Sequence, residues 1–477
     1  MQLNSDRQVG TWGLIFITLA GVVSPMGMVI MAKYGASALF YYALVILFFF
    51  IPSALVCSEL ASGWPQEGGM YHWISVAFGR MTGNIALWAQ WLSAVVSFPV
   101  ILTFAASFVA YGIDPSLMQH GSFVFLICVA LSLVAMIFPL LGIRPAIWVS
   151  AMATIGSTLI PVILLIIFAA YWLLTGHASA THFDWAHIIP EFNGWGMFSL
   201  LGATVFMFGG MELAAYALQY CKNPRKQYGR SLWISGILII LMCIFGTLAI
   251  SVFVSTDQSD LVSGMMQGFV IFLSAYHLKW IIVGIVIFNV IGWMGVLATY
   301  MFTLSYGLFA SAKDHMLPKL FQKHNKFNAP YNLIILQGIV TVILATLYVL
   351  IPNVNAAYWL IEAVVAVVGG LRYLFLFAAA IKLRYSHPDV HRSMRIPGGK
   401  VWGMNLISGI AFIMTAFSVV MTFVPPNEFD IGNAYVYISS LIIGTLICVW
   451  LPVLVGYYSE WAHRREVRAD FIKHHGL

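Results

Sequence analysis

The chain has 477 residues, of which 61% are hydrophobic and only 8% charged, with a formal net charge of +6. That balance excludes a soluble enzyme or a nucleic-acid-binding module and requires a polytopic, multi-pass membrane protein. The runs are too long, and lack the period-2 polar alternation, for a membrane β-barrel.

About twelve apolar runs are long enough to cross a bilayer as helices. They lie near 12–32, 37–59, 84–112, 121–142, 146–174, 196–220, 231–255, 278–310, 331–351, 356–383, 402–424 and 433–458. The expected fold is therefore an all-α membrane protein forming one transporter domain over 1–477. The first run is too long for a cleavable signal and ends without a small-x-small site, so it is expected to stay in the mature protein. It contains Gly21, then Ser24-Pro25-Met26-Gly27. Glycine and proline inside such a run free backbone groups that lipid cannot satisfy, so the break is expected to line a polar cavity. Close helix packing is the other use of a membrane glycine.

The sixth run repeats the pattern at Phe208-Gly209-Gly210-Met211-Glu212. Paired breaks in corresponding helices of two halves point to a secondary transporter with a midplane substrate site. If the first and sixth helices correspond, the unit is five helices. An odd unit must be inverted, giving a 5+5 repeat of about 12–174 and about 196–383, helices 11 and 12 at about 402–458, and a tail at 459–477. The freed N–H groups suit a carboxylate and the freed C=O groups an ammonium, and an α-amino acid carries both.

Glu212 follows the sixth-run glycines directly. A carboxylate in a span costs about 2.5–3.5 kcal/mol and usually faces a cavity, although a protonated glutamate bonded to a neighbouring helix fits the sequence as well. In the tenth run Glu362 and Arg372 are ten residues apart, about 15 Å along a helix and about 80° around it, so they are not expected to pair. Arg372 is expected to face an anion or an aqueous path, or else to bridge to a helix end.

Lys and Arg gather in alternate loops, at Arg7, Arg80, Arg144, Lys222 to Arg230, Lys313 to Lys326, Lys382 to Lys400 and Arg464 to Lys473, while Lys33 and Lys279 fall on the other side. This asymmetry places both termini in the cytoplasm and explains the positive charge without nucleic acid. The outer stretch 256–277 contains Leu261 to Ser274, expected to form a short helix. The five cysteines show no paired spacing, and none of the 13 histidines sits in the centre of a span, so no disulfide, metal or other cofactor is expected. The tail histidines His463, His474 and His475 suit either a pH-sensitive gate or a basic tail resting on lipid.

Ser58-Glu59-Leu60-Ala61-Ser62-Gly63-Trp64-Pro65-Gln66-Glu67-Gly68-Gly69-Met70-Tyr71-His72-Trp73 looks like a helix 2 signature. With Gly210-Met211-Glu212, Asn223-Pro224-Arg225 and Ala312 to Pro318, the chain resembles the amino acid/polyamine/organocation transporter superfamily over nearly its whole length. His387-Pro388-Asp389, Arg395 to Lys400 and Phe423 to Asn427 are similar to its glutamate/γ-aminobutyrate antiporter branch. The resemblance implies a 5+5 inverted repeat and amino acid exchange or proton-coupled movement in a bacterial inner membrane. By position it implies a gating and proton-sensing role for Glu212, a substrate-facing Tyr300 and a path-lining Tyr373. Arg372 and Glu362 stand where that branch has small apolar residues. A polyamine or organic-cation carrier and a nutrient sensor on the same scaffold remain alternatives. An intramembrane enzyme finds no paired Asp, Gly-x-Ser-x-Gly or HExxH in a span.

Overall fold

The computed structural model describes residues 10–64, 69–142, 155–183, 185–215, 221, 224–256, 258–310, 317–399 and 401–475. Pro65 to Gly68, Arg144, Lys222, Asn223, Ala312 to Met316 and the inner part of the sixth run, 216–220, lie outside the described residues. Among the described residues ten helices are long and apolar enough to cross a membrane. The first and sixth runs are not among them, because each is interrupted.

The first run forms α1 (Thr11–Val22) and α2 (Pro25–Ala32). The long helices α3 (Gly35–Gly63), α4 (Gly69–Phe78), α5 (Arg80–Ile113), α6 (Gly121–Leu140) and α7 (Ile155–Leu174) follow. Two of them carry π turns, Ile46–Phe50 and Ile155–Leu159. The cause is local: Pro52 and Pro161 lack the N–H and crowd the preceding turn, so the ladder slips before each ring. The sixth run gives a 3₁₀ turn, Trp195–Phe198, and α8 (Leu201–Met207). Then come α9 (Pro224–Phe253), the shorter helix α10 (Gly264–Ala275), α11 (Trp280–Ala310), α12 (Tyr331–Leu350), α13 (Val354–Ser386), α14 (Trp402–Thr422) and α15 (Ala434–His475).

Helix ends meet on two faces. On one, Tyr34 Oη donates to Met197 O (2.7 Å), Lys33 Nζ to Thr256 O (3.3 Å) and Asn355 Nδ2 to Asp260 Oδ1 (3.4 Å). On the other, Asn325 Nδ2 donates to Leu140 O (2.7 Å), and Arg384 pairs with Glu59. The basic residues Lys319 to Lys326 and Lys382 to Arg395 lie on this second face. Leu126, Ile163, Phe245, Ile287, Ile413 and Ile447 are exposed around the waist, an apolar belt facing outward as lipid requires. Helix α13 is the central post, and its glycines explain how it is seated. A Cβ on Gly369 would strike Phe206 of α8, and one on Gly370 would strike Val419 of α14. The close crossing carries Arg372 and Tyr373 to the sixth-run break.

Candidate functional site

The first-run break is shorter than the sequence suggests. Gly21 remains helical in α1 and Gly27 in α2; only Val23 and Ser24 leave the helix. Pro25 starts α2, and Ser24 Oγ accepts from the Gly27 N–H at 3.2 Å, so one N–H of the new helix end is already capped. Gly21 and Gly27 serve close approach: a Cβ on Gly21 would strike Leu213, and one on Gly27 would strike Met207. Pro25 is buried, while Ser24 and Met26 are half-buried.

In the sixth run α8 stops at Met207. The Phe208 N–H bonds back to Thr204 O, and the Gly209 N–H to Phe206 O. Gly210 has φ +112°, a conformation that strains any residue with a Cβ. A Cβ there would also sit 3.1 Å from Gly21 O, so the sixth-run break packs against the last turn of α1. The C-terminal ends of α1 and α8 and the N-terminal end of α2 therefore converge, setting partial negative and positive charge side by side. Gly210→Ala should disrupt both the turn and this contact. We expect a destabilisation of about 1–3 kcal/mol with loss of transport, checked by thermal melting in detergent alongside flux.

Beside the contact lies a buried polar cluster. Tyr373 Oη accepts the Gly210 N–H (2.5 Å) and lies 3.1 and 2.9 Å from the two Glu212 carboxylate oxygens, to which it donates. Arg372 Nη2 lies 3.6 Å from Glu212 Oε1. The Arg372 guanidinium stacks 4.9 Å from the Tyr373 ring and 5.9 Å from Phe206. Phe208 and Glu212 are fully buried. The unwound N–H at Gly210 is thus not free: a tyrosine hydroxyl holds it, and the same hydroxyl links it to the carboxylate. Arg372 faces an anion, Glu212 of the sixth run, and the structure joins Gly210, Glu212, Arg372 and Tyr373 into one unit. Tyr300 is half-buried on α11. Glu362, ten residues nearer the N-terminal end of α13, stands apart from this unit.

Two charged groups escaped the sequence reading. Glu59, embedded in the helix 2 signature, is 1% exposed and gathers Arg384, the Arg392 Nε at 3.3 Å and the Ile396 N–H at 2.8 Å. Arg392 also lies over the Trp64 ring at 5.0 Å, and Met394 packs on Ser58 and Gly229. This straps the 387–399 loop across α3 and α9. An acid within an apolar span was the available signal. The second is Glu428, in the loop between α14 and α15, whose carboxyl burial pushes up to about 7 against the pull of Lys33. The folded state then holds this proton more tightly than the unfolded chain. Its contribution is full below about 4.5 and is lost as pH rises through about 7. Glu428→Gln should flatten that decline in a melting-temperature series from pH 4 to 8.

A helical membrane transporter with two interrupted helices meeting inside the bundle is the class that this fold and site define. The chain belongs to the amino acid permease family, which it matches over residues 9–448, within the amino acid/polyamine/organocation superfamily. It is 34% identical over 451 residues to an uncharacterized transporter of Legionella pneumophila, covering 94% of this chain and 97% of that one. It is 25% identical over 458 residues to the glutamate/gamma-aminobutyrate antiporter of Lactococcus lactis (94% and 90% covered). A probable agmatine/putrescine antiporter of that species is also 25% identical, over 406 residues (83% and 83%). In fold it is similar to the crystal structure of the manganese transporter of Eremococcus coleocola, with TM-score 0.58 at 13% identity over 96% of this chain and 95% of that one. That last likeness concerns the fold alone.

Proposed function

We propose that the protein is a secondary active amino acid transporter, an antiporter or proton-coupled carrier that works by alternating access. The ten long helices plus the two broken ones make twelve crossings, arranged as a 5+5 inverted repeat with two further C-terminal helices, both termini cytoplasmic in a bacterial inner membrane. The observation that carries the reading is the packing of the sixth-run break at Gly210 against the last turn of α1 at Gly21, just before the first-run break, with Glu212, Arg372 and Tyr373 beside it. The N-terminal end of α2, around Pro25 and Met26, suits the substrate carboxylate, and the carbonyl ends of α1 and α8, at Phe208 and Gly209, suit its ammonium. Tyr300 flanks the site from α11.

Glu212 and Tyr373 act as the gate. The Tyr373 hydroxyl, held by the Glu212 carboxylate, accepts the Gly210 N–H and fixes the shape of the unwound segment, so breaking the Tyr373–Glu212 bond releases it. A ligand shifts such an equilibrium only by the difference in its affinity for the two states, and a hydrogen bond that forms in one state supplies that difference. Purified protein in liposomes loaded with unlabelled amino acids tests the reading. Uptake of labelled amino acid that requires internal substrate supports antiport, and uptake driven by a pH gradient alone supports proton symport. Binding without flux under either condition would overturn transport in favour of a sensor.

A further inference from the structure

The sixth-run segment is held from a second side. Breaking the helix takes from its carbonyls the donors they would have had four residues on, and inside a membrane each must find another. The Met211 carbonyl finds Tyr228 of α9, whose hydroxyl donates to it at 3.1 Å. Met211 and Tyr228 are both buried. The two tyrosine bonds flank the Gly210–Met211 peptide: α13 holds the Gly210 N–H through Tyr373, and α9 holds the Met211 C=O through Tyr228. The Met211 side chain runs on along α9, with its Cε 3.9 Å from where a Cβ on Gly236 would lie.

The two grips differ in chemistry and in what stands behind them. Tyr373 donates to the Glu212 carboxylate, a group that can take up a proton, whereas the acceptor of Tyr228 is a peptide carbonyl, which keeps its lone pairs at every pH. Tyr228 also stands on an anchored stretch of α9. Gly229, the next residue, packs on Met394 of the 387–399 loop, and the Met394 sulfur accepts from the Ser58 hydroxyl of α3. About 28 Å further along α9, Thr247 Oγ1 donates to Met28 O of α2 at 3.3 Å and lies 2.6 Å from Tyr42 Oη of α3. Between them Leu232, Ser235, Ile239 and Cys243 form one buried face. Rings of α3 hold Phe208 as well, Tyr42 and Phe50 meeting it edge-on at 5.7 and 5.1 Å.

We propose that Tyr228 is a positioning residue of the transport site: it is the fixed point of the unwound segment, keeping Met211 on α9 while the Tyr373 grip is the one that opens. A bond whose acceptor does not titrate is blind to protons. Tyr228 therefore sets where the Phe208 and Gly209 carbonyls lie, and Glu212 with Tyr373 sets when the segment moves. Pinned on one side the segment pivots; pinned on neither it drifts, and a substrate meets carbonyls no longer placed for it. The inference rests on the transport reading for what the segment serves, not for how it is held.

The first measurement is hydrogen–deuterium exchange of the purified full-length protein in detergent. Tyr228→Phe removes only the hydroxyl, so exchange across 208–213 should rise about fivefold, the scale of one lost hydrogen bond, while α3 and α9 exchange as in the wild type. Unchanged exchange across 208–213, or a rise spread over α3 and α9, would overturn the proposal. Should Tyr228→Phe not fold, 3-fluorotyrosine placed at 228 decides: a stronger donor on a nearly unchanged ring should slow the same exchange, and no slowing counts against the grip. Flux in liposomes is scored separately with labelled L-glutamate, L-arginine and L-leucine in turn. For whichever is carried, Tyr228→Phe should raise the half-saturation concentration about fivefold and keep the wild-type pH profile, whereas Tyr373→Phe should alter that profile. A lowered maximal rate with unchanged half-saturation would make Tyr228 merely structural, and a pH profile altered as in Tyr373→Phe would end the division of roles. No wild-type flux of any of the three, with the exchange result intact, removes the transport reading and leaves the grip; the converse removes the grip alone.

Discussion

Glu59→Ala is expected to lower the stability of the protein by about 3–5 kcal/mol, the cost of leaving buried guanidinium groups without their carboxylate. Glu59 is 1% exposed and holds Arg384, Arg392 and the Ile396 N–H at once, so one substitution unties α3, α13 and the 387–399 loop together. The measurement is the melting temperature in detergent. Because the penalty comes from stranded positive charge, the double variant Glu59→Ala/Arg384→Met should recover part of the loss. A single variant that melts with the wild type, or a double variant that is simply additive, would show that the cluster is not an energetic anchor.

The second large effect is expected on transport. Glu212→Gln removes the charge that Arg372 faces at 3.6 Å while keeping an oxygen for the Tyr373 hydroxyl. Exchange should fall by about tenfold or more, the factor that about 1.4 kcal/mol changes. On the proposal that the gate works through the Glu212 carboxylate, the remaining flux should lose its dependence on pH. Glu212→Asp, which keeps the charge on a shorter arm, should retain the pH response with a reduced rate. Wild-type flux with an unchanged pH profile in Glu212→Gln would remove Glu212 from the gate. Both variants are read against binding as well as flux, since a collapse of fold lowers both and a gating defect spares binding.

The sequence was most legible where a property is local. Apolar run length placed the long helices within a few residues, Leu261 to Ser274 foretold α10, and Gly209-Gly210 marked the sixth-run break where the chain does leave the helix. It read the first run less well. Gly21 and Gly27 looked like part of one unwound stretch, yet both are helical and act in packing against Leu213 and Met207. A glycine that unwinds a helix and one that admits a neighbour look alike until the neighbour is known.

Composition and hydropathy alone determined that this chain lives in a membrane, because transfer free energy is summed residue by residue along a run. The partners of its charges were decided only by the tertiary structure. Nothing near Glu212 in the chain names Arg372 and Tyr373, and nothing near Glu59 names Arg384. The crossing of α13 over Phe206 and Val419 at Gly369 and Gly370 makes the first meeting, and the strap of the 387–399 loop makes the second. Coulomb and hydrogen-bond energies depend on separation in space, which only packing sets.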